Sequence, residues 1–510
     1  VKHKPILLEA LAYLGVAGLA WLLFINAMNK GPSRDEQMYC TAGVLLTQQQ
    51  AIYKDFSYVS QLPYHPALLS VIYQLTRTTQ YLLMGRLLSW ACEMVILFLI
   101  MAIYRHIFAC QRTLGTLLGL AAAMLYALNP IVFLANGYAW NHPFILLAVM
   151  LSLWLVLKRI PNYRVSGLLQ GGILTIACGM RITTVLIWGL FLLHSILNQT
   201  DTRQQKKQGI LGFVGGTGLL AIWPIYALLQ DPKAAWANLL VIPKLYGQWH
   251  LTHGTAHNKL DLTLMCLTAM GYLSLLICWG ITTWMGRTCG RAESLTPDKR
   301  QPFLFWIVAT FVVIAFIPPT MWQQYWAAPV AFIVMCPAIP LYRLQQHKTS
   351  HPRLWRTAIT TVILSTALTA WAMTVTLISE PLSLSRSLWP PLQMHALAQD
   401  IAKHVKAPKR ILTLAPLLAL EGCAQIYPEL SCGSVVYRIG DQLPTQVQDA
   451  AHVAGFKSLK PILSTTSADA ILVGTESGLL KGLDQDLINY VPEHWLHIDY
   501  PSGITLYYRP

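Results

Sequence analysis

Acidic side chains are scarce in this sequence: 22 Asp and Glu stand against 37 Lys and Arg in 510 residues, and charged residues of both signs make up only 12%. Soluble globular domains carry about twice that share, so a soluble enzyme is excluded. The ten cysteines form no Cys-x-x-Cys pair and no metal-ligand spacing, and most lie inside apolar runs, which excludes zinc modules and a disulfide framework. Cys423 and Cys432 are the exception: close together in a polar region, they read either as a disulfide or as two free thiols. A small-residue cleavage site is missing after the first apolar run, which therefore reads as a retained helix.

What is present is apolar: 55% of the residues are hydrophobic. Apolar windows fall near 6–28, 80–104, 114–134, 142–157, 167–178, 182–198, 209–229, 263–285, 303–317, 325–343 and 357–378, which predicts a polytopic α-helical membrane protein with about eleven spans. The windows 142–157, 167–178 and 303–317 are short, Asn129-Pro130 interrupts the stretch 114–157, and Arg181 splits 167–198 into two short runs, so tilted, broken or partly re-entrant helices are expected there. The formal net charge of +15 does not imply nucleic acid, because the basic residues sit in short loops as topology signals. Lys2 and Lys4, Arg105 and Arg112, Lys158 to Arg164, Arg203 to Lys207, Arg287 to Arg300 and Arg343 to Arg356 mark one side, whereas the opposite short loops near 135–141 and 318–324 have no Lys or Arg. This bias predicts a plasma-membrane protein with a cytoplasmic N-terminus. Residues 1–378 form the membrane module, with large outer loops at 29–79 and 230–262. An extracytoplasmic α/β domain follows over 379–510. In that tail, a helix over 393–406, strands at 410–414 and 470–474, and a hairpin over 495–508 are expected.

The outer face then carries an acidic pair, Asp35 and Glu36, directly after the first span. Ionised carboxylates beside a bilayer are costly and point to function. Ser33 and Glu36 have capping-box spacing, so Glu36 is open to a purely structural role. Asp35 is not needed by the box and is the better candidate base. The segment 37–50 reads as a helix lying on the membrane surface. His250, His253 and His257 suggest a metal site by spacing, but Gly247 and Gly254 argue against a regular helix there. Interface aromatics and headgroup contacts are the alternative reading.

After this pair come Tyr53-Lys54-Asp55 and Leu62-Pro63-Tyr64-His65-Pro66, then Gly85-Arg86-Leu87-Leu88-Ser89, Gln323-Gln324-Tyr325-Trp326-Ala327-Ala328-Pro329, Ile411 to Pro416 and Ile426-Tyr427-Pro428-Glu429. In this order the sequence resembles membrane glycosyltransferases of the GT-C class, in the branch of the protein O-mannosyltransferases and the bacterial lipid A aminoarabinose transferases. The resemblance implies transfer from a polyprenyl-phosphate-linked sugar donor to an envelope acceptor: protein, lipid A or glycan. It departs in the loop 136–143, which holds Asn141 and His142 where many relatives place a second carboxylate. Metal-independent transfer, with no cofactor, is therefore the expectation.

Asp35 and Glu36 are the candidate catalytic residues. Arginine suits a lipid phosphate because its fork pairs with phosphate oxygens and keeps its proton. Arg181 is the first candidate, with Arg86, Lys244 and Tyr325 beside it, although snorkelling to the interface is an alternative for Arg86. Glu93 lies two turns from Arg86, too far for direct contact. Asp55, Tyr64, His65, Asn141, His142 and His250 are the candidate substrate-binding residues. One base implies direct displacement with inversion. A transporter or flippase of envelope lipids, and a non-catalytic scaffold, are the rival readings.

Overall fold

The computed structural model describes residues 3–198, 202–256, 258–292, 300–476 and 478–510; Lys2, His257 and Lys299 lie outside the described residues. The chain is mostly helical. A long first helix, α1 (His3–Asn29), leads into α2 (Arg34–Thr47), α3 (Tyr64–Thr76) and α4 (Tyr81–Ile107). There follow α5 (Arg112–Ala127), α6 (Pro130–Ala135), α7 (His142–Lys158), α8 (Tyr163–Cys178), α9 (Val185–Leu197) and α10 (Arg203–Gln230). A short α11 (Pro232–Trp236) and α12 (Ile242–Thr252) precede α13 (Lys259–Ala269), α14 (Tyr272–Ala292), α15 (Arg300–Phe316), α16 (Ala327–Ile333), α17 (Ala338–Gln346) and α18 (Pro352–Ser379).

Each apolar window coincides with helix, but the helices are more broken than the windows. Among the described residues, five helical segments are long and apolar enough to cross a bilayer: Ile6–Asn29, Tyr81–Ile107, Arg203–Gln230, Gln323–Gln346 and Pro352–Ser379. A sixth arises if α13 and the adjoining Tyr272–Cys289, bent by 70°, count as one. Three shorter apolar helices, His142–Lys158, Ile182–Leu197 and Gln301–Phe316, fall where short windows were read. The window 114–134 is divided at Asn129, whose side chain accepts from the Ile131 amide and starts α6 with Pro130 at its first turn. An Asn-Pro pair both caps a new helix and denies the old one a donor, so it cuts the span.

Small residues set the closest helix pair. A Cβ on Gly167 or Gly171 of α8 would meet backbone oxygen of α10 at 2.0 Å, and one on Gly212 or Gly216 of α10 would meet α8 oxygens at 2.1 Å. Glycines four residues apart on both helices let the backbones touch, the usual route to helix association in lipid.

The tail contains a four-stranded sheet: β1 (Ile411–Leu412), β2 (Ala470–Val473), β3 (Leu496–Asp499) and β4 (Thr505–Tyr508), ordered β1-β2-β4-β3. β1 and β2 run parallel, and β4 is antiparallel to both β2 and β3. Its helices include α19 (Pro390–His404), α20 (Pro416–Glu421) and α21 (Ser434–Gly440), and α19 buries Met394, Ala398 and Ile401 as its spacing predicts. The tail is not packed on itself alone. One apolar cluster is its own, around Leu412, Tyr437, Leu459 and Val473. A larger one joins Ile401, Leu417 and Leu472 to Met38, Val44, Tyr53 and Leu69 of the segment 29–79. Polar contacts fix the same interface. Glu421, fully buried, accepts from the Leu82 amide at 2.8 Å in the first turn of α4, while Gln37 accepts from the Leu417 amide at 3.0 Å. Cys423 is exposed and Cys432 buried, and both are free thiols, with the Cys432 thiol donating to the Ser57 carbonyl at 3.2 Å.

Candidate functional site

Ser33 caps α2 in an extended conformation, with the capping box complete: its hydroxyl accepts from the Glu36 amide at 3.2 Å, and Glu36 Oε2 accepts from the Ser33 amide at 2.9 Å. Glu36 does more than this. Arg86 Nε donates to Oε1 at 2.8 Å and Arg86 Nη2 to Oε2 at 2.9 Å, and the Ala139 amide donates to Oε1 at 2.7 Å. The remaining Arg86 hydrogens reach the carbonyls of Ala27, Lys30 and Gly31. Both residues are 0% exposed.

This corrects two expectations. Glu36 has its lone pairs filled and meets no solvent, so it is not placed to accept a proton. Arg86 has its fork closed on Glu36, so it is not open to a phosphate. Together they join the end of α1, the start of α2, the second span and the loop 136–141. That loop approaches α1 so closely that Gly137 (φ +94°) has no room for a Cβ, which would lie 2.6 Å from the Ala27 Cα. Glu93, which cannot reach Arg86, has its own partner in the Tyr126 hydroxyl at 2.7 Å. Lys30 sits at the C-terminal end of α6, donating to the carbonyls of Phe133, Leu134 and Asn136, where the helix dipole favours a cation. Burial and the nearby Arg86 nonetheless lower its pKa to about 7.

Asp35 stands one residue before Glu36 and faces differently. Among the described residues its carboxylate accepts no hydrogen bond. Burial raises its pKa; Arg34, Arg438 and Arg181 pull it back, and Glu36 pushes it further up. A half-buried carboxylate with no hydrogen-bond donor on it and a raised pKa is a candidate base. The Tyr39 hydroxyl, one turn along α2, feels the same Asp35, Arg181 and Tyr325.

Arg181 lies in the break between α8 and α9. Its guanidinium stacks 4.6 Å from the Tyr325 ring centroid and meets His142 Nδ1 at 3.3 Å. These three residues line a narrow apolar crevice of only about 20 Å³, walled by Ile145, Leu146, Phe311 and Ile314, beside which the Thr183 hydroxyl is buried without a partner. On the other side, Arg438 of α21 stacks on Tyr246 (4.7 Å) and Trp249 (5.0 Å) of α12, donates to the Tyr246 hydroxyl at 3.3 Å and meets His250 Nε2 at 3.4 Å. Burial and Arg438 lower the His250 pKa to about 4, which keeps its ring neutral beside the guanidinium.

The structure thus brings Asp35, Arg181, His142, Tyr325 and His250 toward one place and adds Arg438, Tyr246 and Thr183. Arg438 had no sequence signal beyond being a lone cation after an apolar run in the tail; only the docking of α21 on α12 places it here. Other candidates are put to structural use. Asp55 closes a turn by accepting from the Ala51 amide at 2.6 Å. Tyr64 donates to the Leu220 carbonyl of α10. Asn141 braces the loop by donating to Gln61 Oε1 at 2.7 Å and the Met180 carbonyl at 3.3 Å. His65 is fully buried between Tyr39 and Phe144 with neither ring nitrogen hydrogen-bonded, and burial lowers its pKa to about 3. Lys244 is exposed on α12 and takes no part in the crevice. The histidine spacing does not make a metal site of the two that are described: His250 Nδ1 is bonded to the Thr255 hydroxyl at 2.6 Å, while His253 stacks on Trp249. Among the described residues no three His, Cys, Asp or Glu gather to hold a metal ion; His257 is not among them.

No family model and no curated protein matches the sequence. Solved structures do. ArnT from Cupriavidus metallidurans bound to undecaprenyl phosphate superposes with a TM-score of 0.64 at 11% identity, covering 98% of each chain. Its apo form gives 0.62 at 13%, covering 98% of this chain and 97% of that one. The Archaeoglobus fulgidus oligosaccharyltransferase tethered with an acceptor peptide gives 0.52 at 10%, covering 100% of this chain and 74% of its own. The likeness to ArnT runs nearly end to end, tail included, and the chain has the fold of the GT-C class.

Proposed function

We propose that this multi-pass protein is an inverting glycosyltransferase that moves a sugar from a polyprenyl-phosphate donor to an acceptor on the outer face of the plasma membrane. The observation that carries the reading is the half-buried Asp35, which accepts no hydrogen bond among the described residues and feels the charges of two arginines from different parts of the chain, Arg181 and Arg438, with Arg181 also lining an apolar crevice. The donor phosphate is assigned to Arg181, held by its stack on Tyr325, at the mouth of this apolar crevice, which has to widen to admit an isoprenoid unit. A fold shared with a protein bound to undecaprenyl phosphate supports such a donor.

In the proposed step Asp35 takes the proton of the acceptor hydroxyl as its oxygen bonds to the anomeric carbon. The bond from that carbon to the phosphate oxygen breaks, and the electron pair leaves with the lipid phosphate. Arg181 neutralises the charge that grows on the leaving oxygen, an effect worth most in a water-poor site. Arg438, rigidly stacked on Tyr246 and Trp249, is placed for the sugar or acceptor side. With Glu36 locked in its ion pair, Asp35 is the carboxylate left free to react among the described residues around Arg181 and Arg438, so a single displacement with inversion follows. Offering purified protein in bilayers a panel of polyprenyl-phosphate sugars with an envelope extract tests this. One donor should release free lipid phosphate and yield a glycoside of inverted configuration. A retained configuration would require a second nucleophile and defeat the mechanism, and no release from any donor, with acceptor shown to be present, would defeat the enzyme reading.

A further inference from the structure

Arg34 is the first residue of α2, a position where the helix dipole opposes a cation. The tail supplies an offset: Arg34 Nε donates to Glu476 Oε2 at 2.8 Å, across 442 positions of sequence. The Glu476 side chain is 6% exposed and that of Arg34 40%. Glu476 belongs to the loop after β2, and this loop is built to present it. Gly474 takes φ +78°, and a Cβ there would lie 2.1 Å from the Gly503 carbonyl oxygen, so only glycine fits. Thr475 is then pinned by the buried Asp484, which accepts from its amide at 2.7 Å and from its hydroxyl at 2.8 Å. Glu476 is therefore held in place before it meets Arg34, unlike the two mobile side chains of an ordinary surface ion pair.

Asp35 adjoins Arg34. The charges that act on Asp35 are Arg34 and Glu36 on its own helix, Arg438 on α21 and Arg181 in the break between α8 and α9, and Arg34 is the strongest of these. Tyr39, Tyr246 and Tyr325 face it as well. We propose that Glu476 is a positioning residue for the transfer: its ion pair with Arg34 seats the tail, and Arg438 with it, on the first turn of α2 and partly cancels the Arg34 charge beside Asp35. This role rests on the reading of Asp35 as the base. Neutralising Glu476 frees the Arg34 charge, which favours the ionised form of Asp35. Removing Arg34 does the reverse and leaves the negative Glu476 nearby. A pair that only docked the tail would be broken equally from either end, and both substitutions would then act in one direction.

The test is a pH titration of the Asp35 carboxyl by NMR, on full-length protein labelled with carbon-13 at its aspartate carboxyls. The Asp35 signal is the one absent from Asp35→Asn. Glu476→Gln, which keeps a hydrogen-bond acceptor for Arg34, should lower the midpoint, and Arg34→Gln should raise it, each by about 0.5–1 pH unit. Solvent screens the part-exposed Arg34, so the shift falls short of the 1–3 units or so of a close buried partner. The rising limb of lipid-phosphate release should move with the midpoint in each variant. Midpoints that stay in place, or that move together, overturn the proposal. Opposite shifts of the midpoint without matching shifts of the rate limb uphold the action of Glu476 on Asp35 and defeat Asp35 as the base instead, so the two failures are separable. Should either variant fail to fold, Glu476→Asp draws the charge back from Arg34 and must lower the midpoint by less than full neutralisation; a midpoint left in place or raised there also overturns the proposal.

Discussion

Glu36 and Arg86 form a two-pronged ion pair, at 2.8 and 2.9 Å, with neither side chain exposed. The consequence is a division of labour within the acidic pair: Glu36 holds the segment 29–79 to α1 and α4, and Asp35, its neighbour, accepts no hydrogen bond among the described residues. Removing one partner of such a buried pair strands the other, which costs about 3–5 kcal/mol.

Arg86→Met and Glu36→Gln should therefore each lower the thermal midpoint of the purified protein markedly, with activity falling in step with the folded fraction. An Arg86 variant of normal stability that loses only donor affinity would instead make Arg86 a phosphate ligand.

Arg181 is expected to act on the leaving group. Arg181→Ala should reduce kcat/KM by about 10²–10³, the usual effect of losing one donor to developing charge, while the melting behaviour changes little. Tyr325→Phe should be mild, because the ring that stacks on Arg181 is retained. Unchanged turnover in Arg181→Ala would move the phosphate elsewhere.

The pH dependence follows from burial. Asp35 must be ionised to take a proton, and its pKa is raised, so the rising limb of kcat/KM against pH should lie above the ordinary carboxylate value of about 4. Arg438 lowers that pKa, so Arg438→Gln should shift the limb to higher pH. A limb that stays in place would separate Arg438 from Asp35.

Topology is testable through two exposed thiols, Cys110 and Cys423. The charge bias puts the loop containing Cys110 on the cytoplasmic side and the tail outside. A membrane-impermeant maleimide applied to the outer face should label Cys423 and spare Cys110, and buried Cys432 should react only after denaturation. Labelling of Cys110 instead would invert the orientation.

Much of this arrangement was legible because the bilayer demands long apolar runs and the capping box demands Ser33 and Glu36 at fixed spacing. The GT-C resemblance likewise agreed with the fold. Three things were not legible. Breaks such as Asn129 do not change hydropathy, so the windows exceeded the helices able to span. The partner of Arg86 is fifty positions away in sequence, and nothing local distinguishes a phosphate-binding arginine from one already satisfied. Arg438 reaches the site only because the tail shares its core with α2 and α3 and sets α21 against α12.

The most direct test of the proposed chemistry compares wild type with Asp35→Asn in reconstituted bilayers, measuring free polyprenyl phosphate released from the productive donor. Asparagine keeps the size of the side chain and removes the base, so donor binding should persist while release falls by at least about 10². Release at the wild-type rate from a correctly folded Asp35→Asn protein would contradict the assignment of Asp35 as the catalytic base.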